Sequence, residues 1–113
     1  MKLSQTDLED VDSLAHQDRN DERRYDPRRP KGHPAGDDMP GLLNSWRAFH
    51  MLWRLGLTET SPAEAEWALR ANWPESWRTN EEGNRFGNEW FSVLATYALK
   101  EHELRRTKKP YRA

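Results

Sequence analysis

Residues 42–55, LLNSWRAFHMLWRL, carry the clearest helical pattern of the chain. The apolar residues recur at intervals of three and four, which places them on one side of an α-helix. The main stripe consists of Leu42, Trp46, Phe49 and Trp53, and Leu43, Met51, Leu52 and Leu55 widen it. A helix that is apolar over most of its circumference is expected to be buried on two sides. Gly56 follows, and glycine is the residue type that most often ends a helix.

A second helix is predicted to begin at Pro62. Ser61 is a favoured N-cap residue, proline suits the first helical position, and Glu64 stands where a capping box needs an acidic side chain. This helix should end near Asn72, because Pro74 disfavours helical geometry in the residue before it.

A last helix is predicted over about residues 88–107, after an irregular connection over residues 73–87. It places Trp90, Val93, Leu94, Tyr97 and Leu104 along one side. All six tryptophans lie between Trp46 and Trp90, and no segment has the alternation typical of a strand. The sequence therefore predicts an all-α fold, with a small Trp-rich three-helix core over residues 41–109 and a short tail over residues 110–113.

The first forty residues have a different composition. They hold ten acidic and seven basic side chains, one aromatic residue, Tyr25, and four prolines. Such a segment has too little apolar surface to form a core of its own. We expect a long extended polar arm over residues 1–40. One short helix over about residues 6–16 is compatible with the pattern, because Leu8, Val11 and Ala15 share a helical face, but it needs a surface to lie on.

Composition excludes several classes of function. The chain has 113 residues and a formal net charge of −1, so a single domain is expected and neither half is a polyanion-binding surface by charge alone. It contains no cysteine, which rules out disulfides and thiolate chemistry. No apolar run is long enough for a signal peptide or a membrane span. We therefore expect a cytoplasmic protein that does not contact membranes.

No self-contained catalytic or metal site is predicted. The four histidines, at positions 16, 33, 50 and 102, lack the spacing of a metal site, and His50 is expected to be a packed or hydrogen-bonded side chain. The acidic pairs Glu64/Glu66 and Glu81/Glu82 are explained by the dipole of helix starts. A cofactor in this chain is not expected.

Protein partners are expected instead. Tyr25 is flanked by four arginines that alternate with acidic residues: Arg23, Arg24, Arg28 and Arg29. Mixed charge of this kind favours a protein surface over nucleic acid. Trp73 and Trp77 flank Pro74 in the predicted connection, and we assign both to an interface, where tryptophan is enriched.

Three segments also carry a resemblance to an enzyme family. They are WRAFHMLWRL (46–55), EAEWALR (64–70) ahead of Pro74, and WFSVLATYALKE (90–101). In order and spacing they resemble the N-terminal helical half of the nitrile hydratase β subunit and its split-off counterparts in thiocyanate hydrolase and toyocamycin nitrile hydratase. The similarity covers roughly residues 37–104.

The resemblance implies a non-catalytic subunit of an enzyme that hydrates nitriles to amides. It implies an arm that wraps a metal-bearing α-type subunit, cobalt or iron held by that subunit, a further small β-type subunit, and a nitrile at the shared interface. Arg70 matches the arginine that hydrogen-bonds the oxidised cysteine ligands of the metal. The chain differs from the family in having Glu66 where a second arginine often stands, and in lacking the β-rich C-terminal half.

Two other hypotheses about the function remain open at this point. One is a structural or adaptor component of a larger assembly, such as a viral particle. The other is a regulator that binds duplex DNA through the basic run at residues 105–112, although nucleic acid is the weaker expectation. A Cys-x-x-Cys-Ser-Cys segment in a co-purifying chain would identify the hydratase.

Overall fold

Four α-helices make up the part of this chain that the structure describes. The computed structural model describes residues 2–20, 39–78 and 87–106. The helices are α1 (Gln5–Asn20), α2 (Met39–Leu55), α3 (Pro62–Asn72) and α4 (Trp90–Arg106), with 3₁₀ turns at Glu75–Trp77 and Gly87–Glu89. These ranges contain no strand, so the all-α prediction is confirmed. None of the helices in the described ranges is long and apolar enough to cross a bilayer.

Helix α2 lies at the centre of the fold and contacts α1, α3 and α4. Trp46, Phe49 and Leu52 have no exposed surface, and neither has Met51 on the flank of the stripe. Burial on more than one side is what an apolar pattern around most of a helix predicts. The central position of α2 therefore follows from residues 42–55.

The N-terminal segment differs from its prediction. Instead of a short helix over about residues 6–16, a helix of 16 residues forms and packs along α2. Val11 and Ala15 are buried in the seam, and the core has four helices rather than three. Residues 21–38 of the expected arm, with Arg23, Arg24, Tyr25, Arg28 and Arg29, lie outside the described residues.

Ion pairs along the seam join the acidic N-terminal segment to α2. Arg47 Nε lies 2.7 Å from Asp12 Oδ1. Arg54 contacts Asp7 at 3.1 Å and Asp10 at 2.8 Å. The pKa of Asp7 is lowered, first by hydrogen bonds from the backbone and hydroxyl of Ser4 and then by Arg54. The acidic residues that led us to expect an extended arm thus pair with the two arginines of α2.

The ends of α2 and α3 are where local sequence rules place them. Gly56 has φ +73°, the left-handed conformation that ends a helix and that glycine adopts without a Cβ penalty. Ser61 Oγ accepts a hydrogen bond from Glu64 N at 3.2 Å, and Pro62 is the first residue of α3. The Glu64 carboxylate accepts a hydrogen bond from the Thr60 hydroxyl. The predicted start and end of α3 are confirmed.

Candidate functional site

Arg70 lies near the end of α3 and is fixed by two contacts. Its Nε donates to Glu66 Oε2 at 3.0 Å, and its Nη2 donates to the carbonyl of Asn88 at 2.9 Å. The guanidinium carbon also lies 5.2 Å from the centre of the Phe91 ring. The side chain remains 37% exposed. Arg70 therefore joins α3 to the turn before α4 and still presents part of its side chain to solvent.

Trp67, three residues before Arg70 on α3, is the most exposed large apolar side chain of the described residues, at 71%. Residues three apart on a helix are surface neighbours. The buried face of α3 consists of Ala65, Leu69 and Asn72, which leaves Trp67 on the opposite side. We call Glu66, Trp67 and Arg70 together the α3 face. Tracing the helical phase of α3 from Ala65 and Leu69 is the sequence signal that would have found it.

Trp73 and Trp77, which the sequence analysis assigned to an interface, are both buried within the chain. Their rings meet edge to face at 5.1 Å, and Trp73 meets Phe91 at 5.7 Å. The Arg47 guanidinium carbon lies 4.7 Å from the centre of the Trp77 ring. The 3₁₀ turn at Glu75–Trp77 folds the connection back onto the core. These two rings therefore offer little surface to a partner, and the exposed tryptophans are Trp53 and Trp67.

A buried polar cluster joins α1, α2 and α4. His50 Nε2 donates to Asp18 Oδ2 at 2.5 Å, and both side chains are more than nine-tenths buried. Arg105 lies 3.6 Å from Asp18 and 3.3 Å from the buried Glu101. Its guanidinium carbon stands 4.1 Å from the centre of the Phe49 ring. We call Asp18, His50, Glu101 and Arg105 the buried polar cluster. The prediction of a hydrogen-bonded His50 is confirmed.

His102 of α4 also packs against Phe49. Its ring stacks on that of Phe49 at 3.9 Å between centres, and its Nε2 donates to the Phe49 carbonyl at 2.9 Å. Burial, and then the positive charge of Arg105, lower the pKa of His102 to about 4 against the opposing effect of the Phe49 hydrogen bond. His102 is therefore a neutral core residue near pH 7.

The buried His102 predicts that the protein loses stability in mild acid. Its pKa is about 4 in the folded protein and 6.5 in its unperturbed form. The neutral side chain therefore contributes its full share of the free energy of unfolding above pH 6.5, and this contribution falls as the pH drops toward 4. The unfolded chain takes up the proton first. We expect the free energy of unfolding to decrease by on the order of 2–3 kcal/mol over this range.

Urea unfolding at several pH values measures this effect. His102→Phe is the matched variant, because it keeps a ring against Phe49 and removes the titrating nitrogen. Over the same pH range, the free energy of unfolding of His102→Phe should decrease by about 2–3 kcal/mol less than that of wild type. Identical pH profiles of wild type and His102→Phe would assign the acid sensitivity to other groups.

A cleft of about 550 Å³ opens above the buried polar cluster. We call it the His50 cleft. Its lining side chains come from α1, α2 and α4: Val11, Leu14, Gln17, Asp18, His50, Trp53, Arg54 and Arg105. Trp53 is 56% exposed and Leu14 is 39% exposed. The sequence analysis did not find this cleft, because its residues come from segments far apart in the chain.

The described residues contain no group of three or more histidine or acidic side chains placed to hold a metal ion. The chain also has no cysteine.

Comparison of the chain with protein-family models, with curated proteins and with solved structures finds no match. The resemblance to the nitrile hydratase β subunit therefore stays a prediction from residue order and spacing.

Proposed function

We propose that this chain is a non-catalytic subunit that binds another protein through the α3 face. The observation that carries the proposal is the 71% exposure of Trp67, beside the partly exposed Arg70. Tryptophan and arginine are the residue types that most often dominate the binding energy of protein interfaces. The remaining tryptophans, apart from Trp53, are buried in the fold.

The geometry of the α3 face favours tight binding. A tryptophan side chain buries roughly 150–250 Å², so covering the exposed part of Trp67 contributes about 3 kcal/mol. Arg70 is already held by Glu66 and Asn88, which reduces the conformational entropy that a partner contact would otherwise remove. A preorganised arginine beside an exposed tryptophan suits the centre of an interface.

The specific form that we propose is a nitrile-hydratase-like assembly. In it the partner is an α-type subunit that holds cobalt or iron through oxidised cysteines, a further small β-type subunit is present, and a nitrile binds at the shared interface. The partly exposed side chain of Arg70 supports this form, because the forked donors of a guanidinium match sulfur–oxygen anions. When the metal is bound in the partner, it supplies the Lewis acid for nitrile hydration.

An alternative is a structural or adaptor component of a larger assembly, which would use the same α3 face. The partner's sequence separates the two. A Cys-x-x-Cys-Ser-Cys segment places three sulfurs and the intervening backbone amides around one metal ion and favours the hydratase. A partner without such a segment favours the adaptor.

Trp67→Ala tests the proposed interface. We expect the affinity for the purified partner to fall at least tenfold, because residues at the centre of an interface contribute more than 1–2 kcal/mol, roughly tenfold or more in affinity. The free energy of unfolding should change by only about 0.5 kcal/mol, since the side chain is exposed. Calorimetric titration of the full chain with the co-purified partner gives the affinity.

Trp53→Ala is the matched control, because it removes the other exposed tryptophan from a different helix. It should leave the partner affinity within about twofold of wild type, far below the hot-spot effect. Equal affinities of wild type and Trp67→Ala would show that the α3 face is not the interface.

Arg70→Lys tests the hydratase form. In the reconstituted complex, we expect assembly to be retained and turnover to fall by about tenfold or more, because lysine keeps the charge and loses the forked donor geometry. Size-exclusion chromatography reports assembly, and nitrile consumption reports turnover.

Arg78→Lys is the control for this variant. Arg78 also lies over Phe91, at 5.3 Å, but is not part of the α3 face. Its replacement should leave turnover unchanged. Full turnover of a correctly assembled Arg70→Lys complex would remove Arg70 from the active site and favour the adaptor.

A further inference from the structure

We propose that the His50 cleft is a second binding site, which takes a small neutral aromatic molecule carrying a hydrogen-bond donor, such as a phenol. The site lies between α1, α2 and α4 and shares no residue with the α3 face. The inference therefore stands independently of the proposed subunit function. Its volume of about 550 Å³ falls within the range of small-molecule pockets.

The charges of the cleft indicate a neutral ligand. Arg54 is paired with Asp7 and Asp10. Arg105 is paired with Glu101 and lies close to Asp18. A charged ligand would give up its hydration and meet groups that already compensate one another, which is unfavourable in a partly buried site.

The walls of the cleft indicate an aromatic ligand. Trp53 and Leu14 present the exposed apolar surface, and the buried Val11 also lines the cleft. The Trp53 ring is nearly parallel to that of His50, with an interplanar angle of 7° and 6.1 Å between centres. Flat apolar surface of this kind packs well against another ring.

The area of the walls indicates a small molecule rather than a protein. A stable protein interface covers about 800 Å² on each partner. At this cleft only Leu14 and Trp53 are exposed large apolar side chains among the described residues. The neighbouring Arg54 is already engaged with Asp7 and Asp10. The apolar surface is sufficient for one or two rings and too small for a standard interface.

The contact between Asp18 and His50 indicates where the donor of the ligand binds. His50 Nε2 lies 2.5 Å from Asp18 Oδ2, and both residues line the cleft. Each oxygen of a carboxylate can accept more than one hydrogen bond. A hydroxyl on the ligand donates to the Asp18 carboxylate, which distinguishes a phenol from a plain hydrocarbon ring.

Titration of the full ¹⁵N-labelled chain with phenol, followed by NMR, tests the proposal. We expect saturable shifts of the Trp53 indole and of the Leu14 and Gln17 amides, with a dissociation constant of about 1 mM for so small a ligand. Toluene should bind about two- to tenfold more weakly, because it lacks the donor. Benzoate should bind more weakly than phenol because it carries a charge. A capped Gly-Tyr-Gly tripeptide should bind no more tightly than phenol.

Trp53→Ala should weaken phenol binding about tenfold or more, and Leu14→Gln should weaken it about threefold. Trp67→Ala is the matched control and should leave it unchanged. Equal affinity of Trp53→Ala and Trp67→Ala, or the absence of saturable shifts at the cleft, would overturn the proposal. Equal affinities for toluene and phenol would overturn the role of Asp18 as the acceptor. Tripeptide binding more than tenfold tighter than phenol would make the cleft a protein-docking site instead.

Discussion

Replacing Trp46 with alanine is expected to lower the free energy of unfolding by about 3–5 kcal/mol. Trp46 has no exposed surface and lies in the middle of α2, the helix that contacts all the others. Its ring meets Phe49 edge to face at 6.0 Å, and the Arg105 guanidinium carbon lies 5.3 Å from its centre. Removing the ring leaves a cavity that the surrounding helices can only partly fill.

Urea unfolding, followed by far-ultraviolet circular dichroism, measures this loss without depending on tryptophan fluorescence. Small domains have a total stability of about 5–15 kcal/mol, so a change of this size can leave much of the variant unfolded. Trp67→Ala is the control, because it removes the same ring from an exposed position. A loss for Trp46→Ala no larger than for Trp67→Ala would contradict the assignment of Trp46 to the core.

The parts of the fold that depend on neighbouring residues could be predicted from the sequence. The capping residues Ser61 and Pro62 mark the start of α3, and Gly56 marks the end of α2. Each of these rules acts within one turn of helix, so the chain around it carries all the necessary information. The central position of α2 also followed from its wide apolar face.

The docking of α1 could not be predicted in the same way. Its apolar stripe is narrow, and its acidic residues resemble those of a solvated segment. The arginines that pair with Asp7, Asp10 and Asp12 are 35–47 residues away in the chain. Local sequence rules predict that a charged side chain faces solvent, because they do not show which distant side chain pairs with it.

In the candidate sites, too, features that depend on distant residues were harder to predict than those that depend on neighbouring residues. Arg70 was singled out by resemblance, and the structure shows that Glu66 and Asn88 hold it. The exposure of tryptophans was harder to predict, because it depends on helical phase and on the path of the connection after α3. Trp73 and Trp77 turn inward, whereas Trp53 and Trp67 remain at the surface. The His50 cleft needs three helices in their final positions, which no single segment specifies.

Asp18→Ala is expected to destabilise the protein by about 3–5 kcal/mol, since it removes the buried carboxylate that contacts both His50 and Arg105 and leaves His50 without that partner. Asp18 accepts a hydrogen bond from His50 and lies near Arg105. Both would stay in the interior after the change, at the point where α1 meets α2 and α4. The loss should therefore fall mainly on the contacts of α1.

Hydrogen exchange and urea unfolding together measure this result. The amides of α1 should exchange faster in Asp18→Ala, while the exchange of α3 amides should accelerate only in proportion to the loss of global stability. Asp12→Ala is the matched control on the same helix, because it removes the ion pair with Arg47. The Asp12 side chain is 33% exposed, so we expect the free energy of unfolding to fall by about 1 kcal/mol or less. If the two variants were equally stable, the buried polar cluster would contribute no more than a surface ion pair, and α1 would be held by Val11 and Ala15 instead.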